Sequence, residues 1–226
     1  LPMMGSNAEA SSTALWRTYN QFLVGNEAFK GVTMLGVGLL GGGQFHHPSK
    51  VIDTPDDLKG QKVRMGGPIQ KRLLEDLGAV AVAGPGPKAY ELLESGVVDA
   101  SLHTIESVIN FRVEDKLKYH TIVPGGFYDA SFFIAINEGK WNKISEADRK
   151  AVSEAAQQAA KEEIGRARAG ISAGDDALLK EIEANGVAVV RLTDAERDAF
   201  RLATAGVYKE WAEKIGGDLV KQAEED

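Results

Sequence analysis

Between Pro55 and Leu102 the chain changes its hydrophobic period every few residues. Pro55–Lys59, Pro68–Leu77 and Pro87–Glu94 read as helices, and Gln61–Met65, Ala79–Ala83 and Val97–Leu102 read as strands. Pro68 and Pro87 stand where a first helical turn begins, a position at which proline's missing N–H goes unused. Such alternation builds βαβ units, so the segment predicts an α/β fold whose sheet contains parallel strands. Ligands of such sheets bind beyond the C-terminal ends of the strands. Arg64, His103 and Thr104 fall at two of those ends.

The flanks extend the pattern. Asn7–Phe29 spaces Ala8, Leu15, Tyr19, Phe22 and Phe29 as one amphipathic helix, with Ser6 or Asn7 as N-cap. Gly31–Gly36 reads as a short buried strand, and the glycine and proline crowded into Gly41–Pro48 predict a loop that crosses between lobes. Phe132–Asn137 and Val187–Arg191 are further strands. Ser145-Glu146-Ala147-Asp148 and Thr193-Asp194-Ala195-Glu196 have the form of helix-starting boxes. The first opens a long Ala- and Glu-rich helical stretch in which Gly165, Gly170 and Gly174 are expected to introduce bends or breaks.

Charge and composition narrow the function classes. With 226 residues, 43% of them hydrophobic, the chain can bury a sizeable core as one large domain or two small lobes. Every apolar run, Val32–Leu40 included, is interrupted by glycine or polar residues well short of the roughly 20 that a membrane span needs. A net charge of −7 with dispersed basic residues argues against nucleic acid as a partner. Cysteine is absent, so neither a disulfide framework nor a thiolate metal site is expected. The start Leu1-Pro2-Met3-Met4 reads as that of a trimmed product.

Several motifs carry candidate chemistry. Gly170-Ile171-Ser172-Ala173-Gly174 matches the GxSxG of a serine hydrolase, with Ser172 as nucleophile, but its flanks are charged helix formers where the motif needs a strand and a sharp turn. Gly41-Gly42-Gly43 lacks the lysine and hydroxyl of a phosphate loop. His46 and His47, adjacent and without a nearby acid, read as a solvated loop pair rather than metal ligands, so no metal or other cofactor is expected. Arg64 precedes Met65-Gly66-Gly67-Pro68 and a helix start. There a guanidinium fork and helix amides could hold one carboxylate, although spacing alone fits a surface arginine as well. His103 and Thr104 fit either a ligand contact or a hydrogen-bonded structural corner braced by Asp99. Phe127, Tyr128 and Phe132 fit either an apolar wall or the core.

The segments Pro55-Asp56-Asp57-Leu58-Lys59-Gly60-Gln61-Lys62-Val63-Arg64, Leu77-Gly78-Ala79 and Tyr90-Glu91-Leu92-Leu93-Glu94-Ser95-Gly96-Val97-Val98-Asp99-Ala100, in this order, resemble the DctP-type solute-binding proteins of TRAP transporters. The likeness runs on through Lys118-Tyr119-His120-Thr121, Asn137, Ser145 and Gly186-Val187. It implies a periplasmic, non-enzymatic protein of two α/β lobes with mixed sheets and a long connecting helix. Such a protein closes over a small organic acid and delivers it to a membrane permease. Residues 1–42 and 126–165 would be the remnant of one lobe, and 43–125 and 166–226 the other. Arg64 falls at the family's carboxylate-binding arginine. His103 stands where many sialic-acid-binding relatives have asparagine, so the ligand stays open. The turn Gly84-Pro85-Gly86-Pro87 replaces an aromatic of the family, so Gly86 would offer backbone amides, and Gln44, Phe45 and His46 match a crossover region facing the cleft. Relatives carry further elements before a segment like Leu1-Pro2. By that measure the chain is truncated at its N-terminus, and a fragment with an uncovered edge would be prone to dimerise or swap elements. A ligand-sensing domain of the same fold is the alternative, and the Ser172 hydrolase a more distant one.

Overall fold

The computed structural model of the chain describes residue 3, residues 8–159 and residues 164–215. Its strands are β1 (Val32–His47), β2 (Lys62–Met65), β3 (Val80–Ala83), β4 (Ala100–His103), β5 (Tyr119–Ile122), β6 (Tyr128–Asn137) and β7 (Ala188–Arg191). Its α-helices are α1 (Ala8–Thr18), α2 (Pro68–Asp76), α3 (Ala89–Glu94), α4 (Ile105–Asn110), α5 (Glu138–Trp141), α6 (Glu146–Gln158), α7 (Ile164–Ala184), α8 (Asp194–Ala203) and α9 (Ala205–Ile215). Two compact units result. One comprises Leu1–Gly5, Gly43–Tyr128 and Leu178–Asp226, and the other Ser6–Gly42 and Asp129–Ala177.

The first unit is a mixed α/β layer with strand order β3-β2-β4-β1-β5-β7, and its α/β class with parallel strands is what the alternating pattern predicts. β2 runs parallel to β3 and β4, placing Arg64 opposite Val82 on one side and Ser101 on the other. β1 lies antiparallel to β4 and β5, pairing Gln44 with His103 and His46 with His120. Asp99 braces the entry to β4 by accepting the Lys62 N–H at 2.8 Å. The helix–sheet interior holds Leu58, Leu73 and Leu74. An aromatic stack joins Phe45 to Phe127, ring centres 4.0 Å apart, and Phe127 to Phe200 at 4.9 Å. Edge-on stacking of this kind adds to the burial of each ring. Thr193 and Glu196 form the reciprocal box at the start of α8, as their spacing predicts.

The glycine run is a strand rather than the predicted loop. β1 continues to His47 because glycine there supplies room rather than a turn. A Cβ on Gly43 would collide with the buried Tyr128 ring. His46 and His47 are consequently buried in the sheet and are not a solvated pair. His46 Nε2 donates to the His103 carbonyl at 3.1 Å, and its Nδ1 lies 2.7 Å from His120 Nδ1. A carbonyl can only accept, so a neutral His46 is an Nδ1 acceptor and His120 the donor.

In the second unit the expected single helix over Asn7–Phe29 breaks into α1, a π-helical turn at Tyr19–Leu23 and a 3-10 turn at Glu27–Phe29. The chain leaves the helix at Val24, which is extended with ψ 125°, Gly25 follows at a φ of 82°, and Asn26 then caps the 3-10 turn. Ser6 and Asn7 lie outside the described residues. Ser12 on α1 clamps the backbone of Leu39, accepting its N–H at 2.8 Å and donating to its carbonyl at 3.2 Å. α6 starts at Ser145, whose hydroxyl accepts the Asp148 N–H. α7 runs unbroken past Gly165, Gly170 and Gly174, contrary to the bends or breaks expected there.

Candidate functional site

The parallel strands bring three chain segments to one corner of the first unit. Arg64 sits near the C-terminal end of β2, Gly84 follows β3, and Leu102 and His103 end β4. From this corner Arg64 Nε donates to the Gly84 carbonyl at 2.8 Å. Its Nη1 donates to the Leu102 carbonyl at 3.0 Å and to His103 Nε2 at 2.7 Å. Arg64 is 5% exposed. Burial lowers its pKa from the usual arginine value, with the Tyr128 phenol acting in the opposite sense, and among the described residues no carboxylate pairs with it.

Arg64 borders an open concavity of about 570 Å³ lined also by Met65, Gly66, Gly67, Pro68 and Gly86. Among the described residues Arg64 is the one charged side chain in its lining. Gly66 lies beside Nη2, so close that a Cβ there would stand 3.3 Å from that nitrogen. The nine-residue helix α2 starts at Pro68 in the same wall, with its first-turn amides at the positive end of the helix dipole. A guanidinium, a helix start and small residues thus border one hollow, an arrangement suited to an anion with a compact or apolar body.

The remaining predicted residues distribute as follows. His103 is buried, with Nδ1 2.8 Å from the Ser101 hydroxyl, and burial together with Arg64 pushes its pKa down to about 3. Thr104 stands at the N-cap position of α4 without a side-chain capping bond, and its hydroxyl donates to Glu106 Oε1 at 2.7 Å. Gln44 Oε1 accepts the Val123 N–H at 2.8 Å. Tyr128 is buried over Gly43, and its phenol is pushed up to about 12 by burial. Phe45 and Phe127 lie in the aromatic stack of the core. Phe132 belongs to the second unit, where it and its neighbours Phe133 and Ile134 are exposed. Ser172 lies within α7, so its GxSxG stretch is helical and has no strand-to-helix elbow. Among the described residues no group of three or more histidine or acidic side chains is placed to hold a metal ion.

Two contributors escaped the sequence reading. Ser101 stands two residues before His103 on one strand, and that spacing puts both on the same face. Gln70 accepts the Gly66 N–H at 2.5 Å and fixes the loop beside Arg64. Its position four residues beyond Gly66, on the first turn of α2, was the available signal.

Residues 1–214 match the family model described as bacterial extracellular solute-binding protein, family 7 (DctP). Among solved structures, a TRAP periplasmic solute-binding protein from Bordetella bronchiseptica with bound (R)- and (S)-mandelate is 30% identical, with a TM-score of 0.85, covering 95% of this chain and 67% of its own. A TRAP solute-binding protein from Rhodoferax ferrireducens in complex with copurified benzoate is 28% identical, with a TM-score of 0.83, covering 95% and 66%. A third, from Ralstonia eutropha with bound (S)-2-acetolactate, is 34% identical, with a TM-score of 0.79, covering 99% and 71%. The chain spans about half the length of the curated relatives it matches, 45% to 52% for the first three. Among the described residues no helix is long and apolar enough to cross a membrane.

Proposed function

The chain belongs to the bacterial extracellular solute-binding proteins of family 7 (DctP), and we propose that it is the periplasmic binding subunit of a TRAP transporter. In this reading it captures a small organic monocarboxylate on Arg64 by lobe closure and delivers it to the membrane permease. One observation carries the assignment: a buried arginine without an acidic partner at the edge of a hollow. A guanidinium withdrawn from water costs several kcal/mol unless a counter-charge meets it, and a bound carboxylate supplies that charge. The lining favours one carboxylate over two, because Arg64 is its single cation. Mandelate, benzoate and acetolactate, held by the three similar structures, are all monocarboxylates.

Isothermal titration with benzoate, (R)-mandelate, 2-acetolactate and malate tests this. Monocarboxylates should bind more tightly than malate. Arg64→Ala should lose about 2–4 kcal/mol, roughly 30- to 1,000-fold, through loss of the charge-assisted pair. Equal affinity in the Arg64→Ala variant refutes the clamp.

A further inference from the structure

Five N–H groups surround a guanidinium carbon, and in Arg64 three of them are committed within the protein, to the Gly84 carbonyl, the Leu102 carbonyl and His103 Nε2. Among the described residues the two left without a protein partner are both on Nη2, the nitrogen nearest the bare backbone of Gly66. A guanidinium cannot accept a hydrogen bond. The 2.7 Å contact therefore requires a lone pair on His103 Nε2, which places the imidazole proton on Nδ1, where it donates to Ser101 Oγ at 2.8 Å.

From this geometry we infer that His103 is a positioning residue, held by Ser101 as the Nδ1–H tautomer, and that it orients Arg64 so that Nη2 alone meets the ligand. The inference rests on the clamp role of Arg64 proposed above. Both ring nitrogens of His103 are spent on protein partners, so this histidine does not select the ligand's polar groups by direct contact. Its contribution is to fix one nitrogen of the guanidinium against rotation. Two backbone carbonyls assist, and neither can be altered by a side-chain substitution. The carboxylate consequently approaches end-on to Nη2, beside Gly66, instead of lying along the Nε–Nη2 edge, because Nε is already turned to Gly84. A protonated His103 would turn an N–H towards the Nη1 N–H and release the clamp, so the neutral ring is the working form.

Nitrogen-15 NMR of the ligand-free protein at pH 7 tests the tautomer without any ligand. His103 should show a protonated Nδ1 and an unprotonated, hydrogen-bonded Nε2, and an Nε2–H or imidazolium signal overturns the inference. Titration with benzoate then compares variants at His103, Ser101 and Arg64. In His103→Gln a side-chain oxygen can accept from Nη1, and affinity should stay within about threefold of wild type. In His103→Leu it should fall tenfold or more, with Ser101→Ala in between, each melting cooperatively. Wild-type affinity in His103→Leu, alongside a loss in Arg64→Ala, removes the positioning role and leaves the clamp standing. No loss in either variant removes the clamp itself.

Discussion

Gly43 illustrates what a single residue can decide here. Its missing side chain lets the Tyr128 ring lie directly on β1, and any Cβ would displace that ring from a buried position. Gly43→Ala should therefore destabilise the fold by about 1–3 kcal/mol, the usual cost of overpacking, as read from the urea midpoint. Gly174 makes the opposite case. It lies inside α7 with nothing within 4 Å of an added Cβ. Gly174→Ala should raise stability by roughly 0.5–1 kcal/mol through helix propensity, and a lower midpoint would contradict an unbroken α7. Both glycines punctuate the sequence in the same way, and only their surroundings separate them.

At the scale of elements, local chemistry was readable wherever the hydrogen bonds are local. Thr193 Oγ1 accepts the Glu196 N–H at 3.3 Å, and Glu196 Oε2 accepts the Thr193 N–H at 2.7 Å, all within four residues. Thr193→Ala removes half of this box and should cost about 1 kcal/mol in chemical denaturation, with Thr193→Ser close to wild type. β2, β3, β4 and α2 likewise fall within a few residues of the expected positions, because period and proline placement are written locally. β1 was readable only at its start, where Gly31–Gly36 reads as a strand. Its last residues, Gln44, Phe45, His46 and His47, pair with β4 and β5, strands that arrive more than fifty residues later, and no local signal announces that the chain runs extended through its glycines to meet them. The burial of His46 and His47 follows from that same pairing.

Across the whole first unit, the buried histidines set the response to acid. Burial holds His103 down at about 3 and His120 at about 4, and it holds His46 well below the ordinary value of 6.5, with His120 and His103 adding to the effect on His46. These folded-state values are depressed, so the unfolded chain takes up protons first as pH falls below about 6.5. Stability is fully present above that pH and is lost progressively towards pH 4 and 3. Each such group adds up to about 1.4 kcal/mol per pH unit to the slope, and His47, also lowered by burial, contributes in the same sense. Urea unfolding at pH 7.5, 6.5 and 5.5 should show little change between the first two and a marked fall at the third. A flat profile would mean that the rings are not held neutral.

The sequence by itself determined the α/β class, the capped helices, the strand that carries Arg64 and, through the ordered segments around it, the family. These are properties of short stretches, where side-chain period and capping act on neighbouring residues. Only the tertiary structure decided that Arg64 is buried with no acid paired to it among the described residues, that its Nη1 meets His103 Nε2, and that Phe45 and Phe127 belong to the core. Burial and hydrogen-bond partners depend on which strands lie side by side. Arg64, Gly84 and His103 meet because β2 pairs with β3 and β4 in parallel, a register set by long-range packing that no window of the sequence contains.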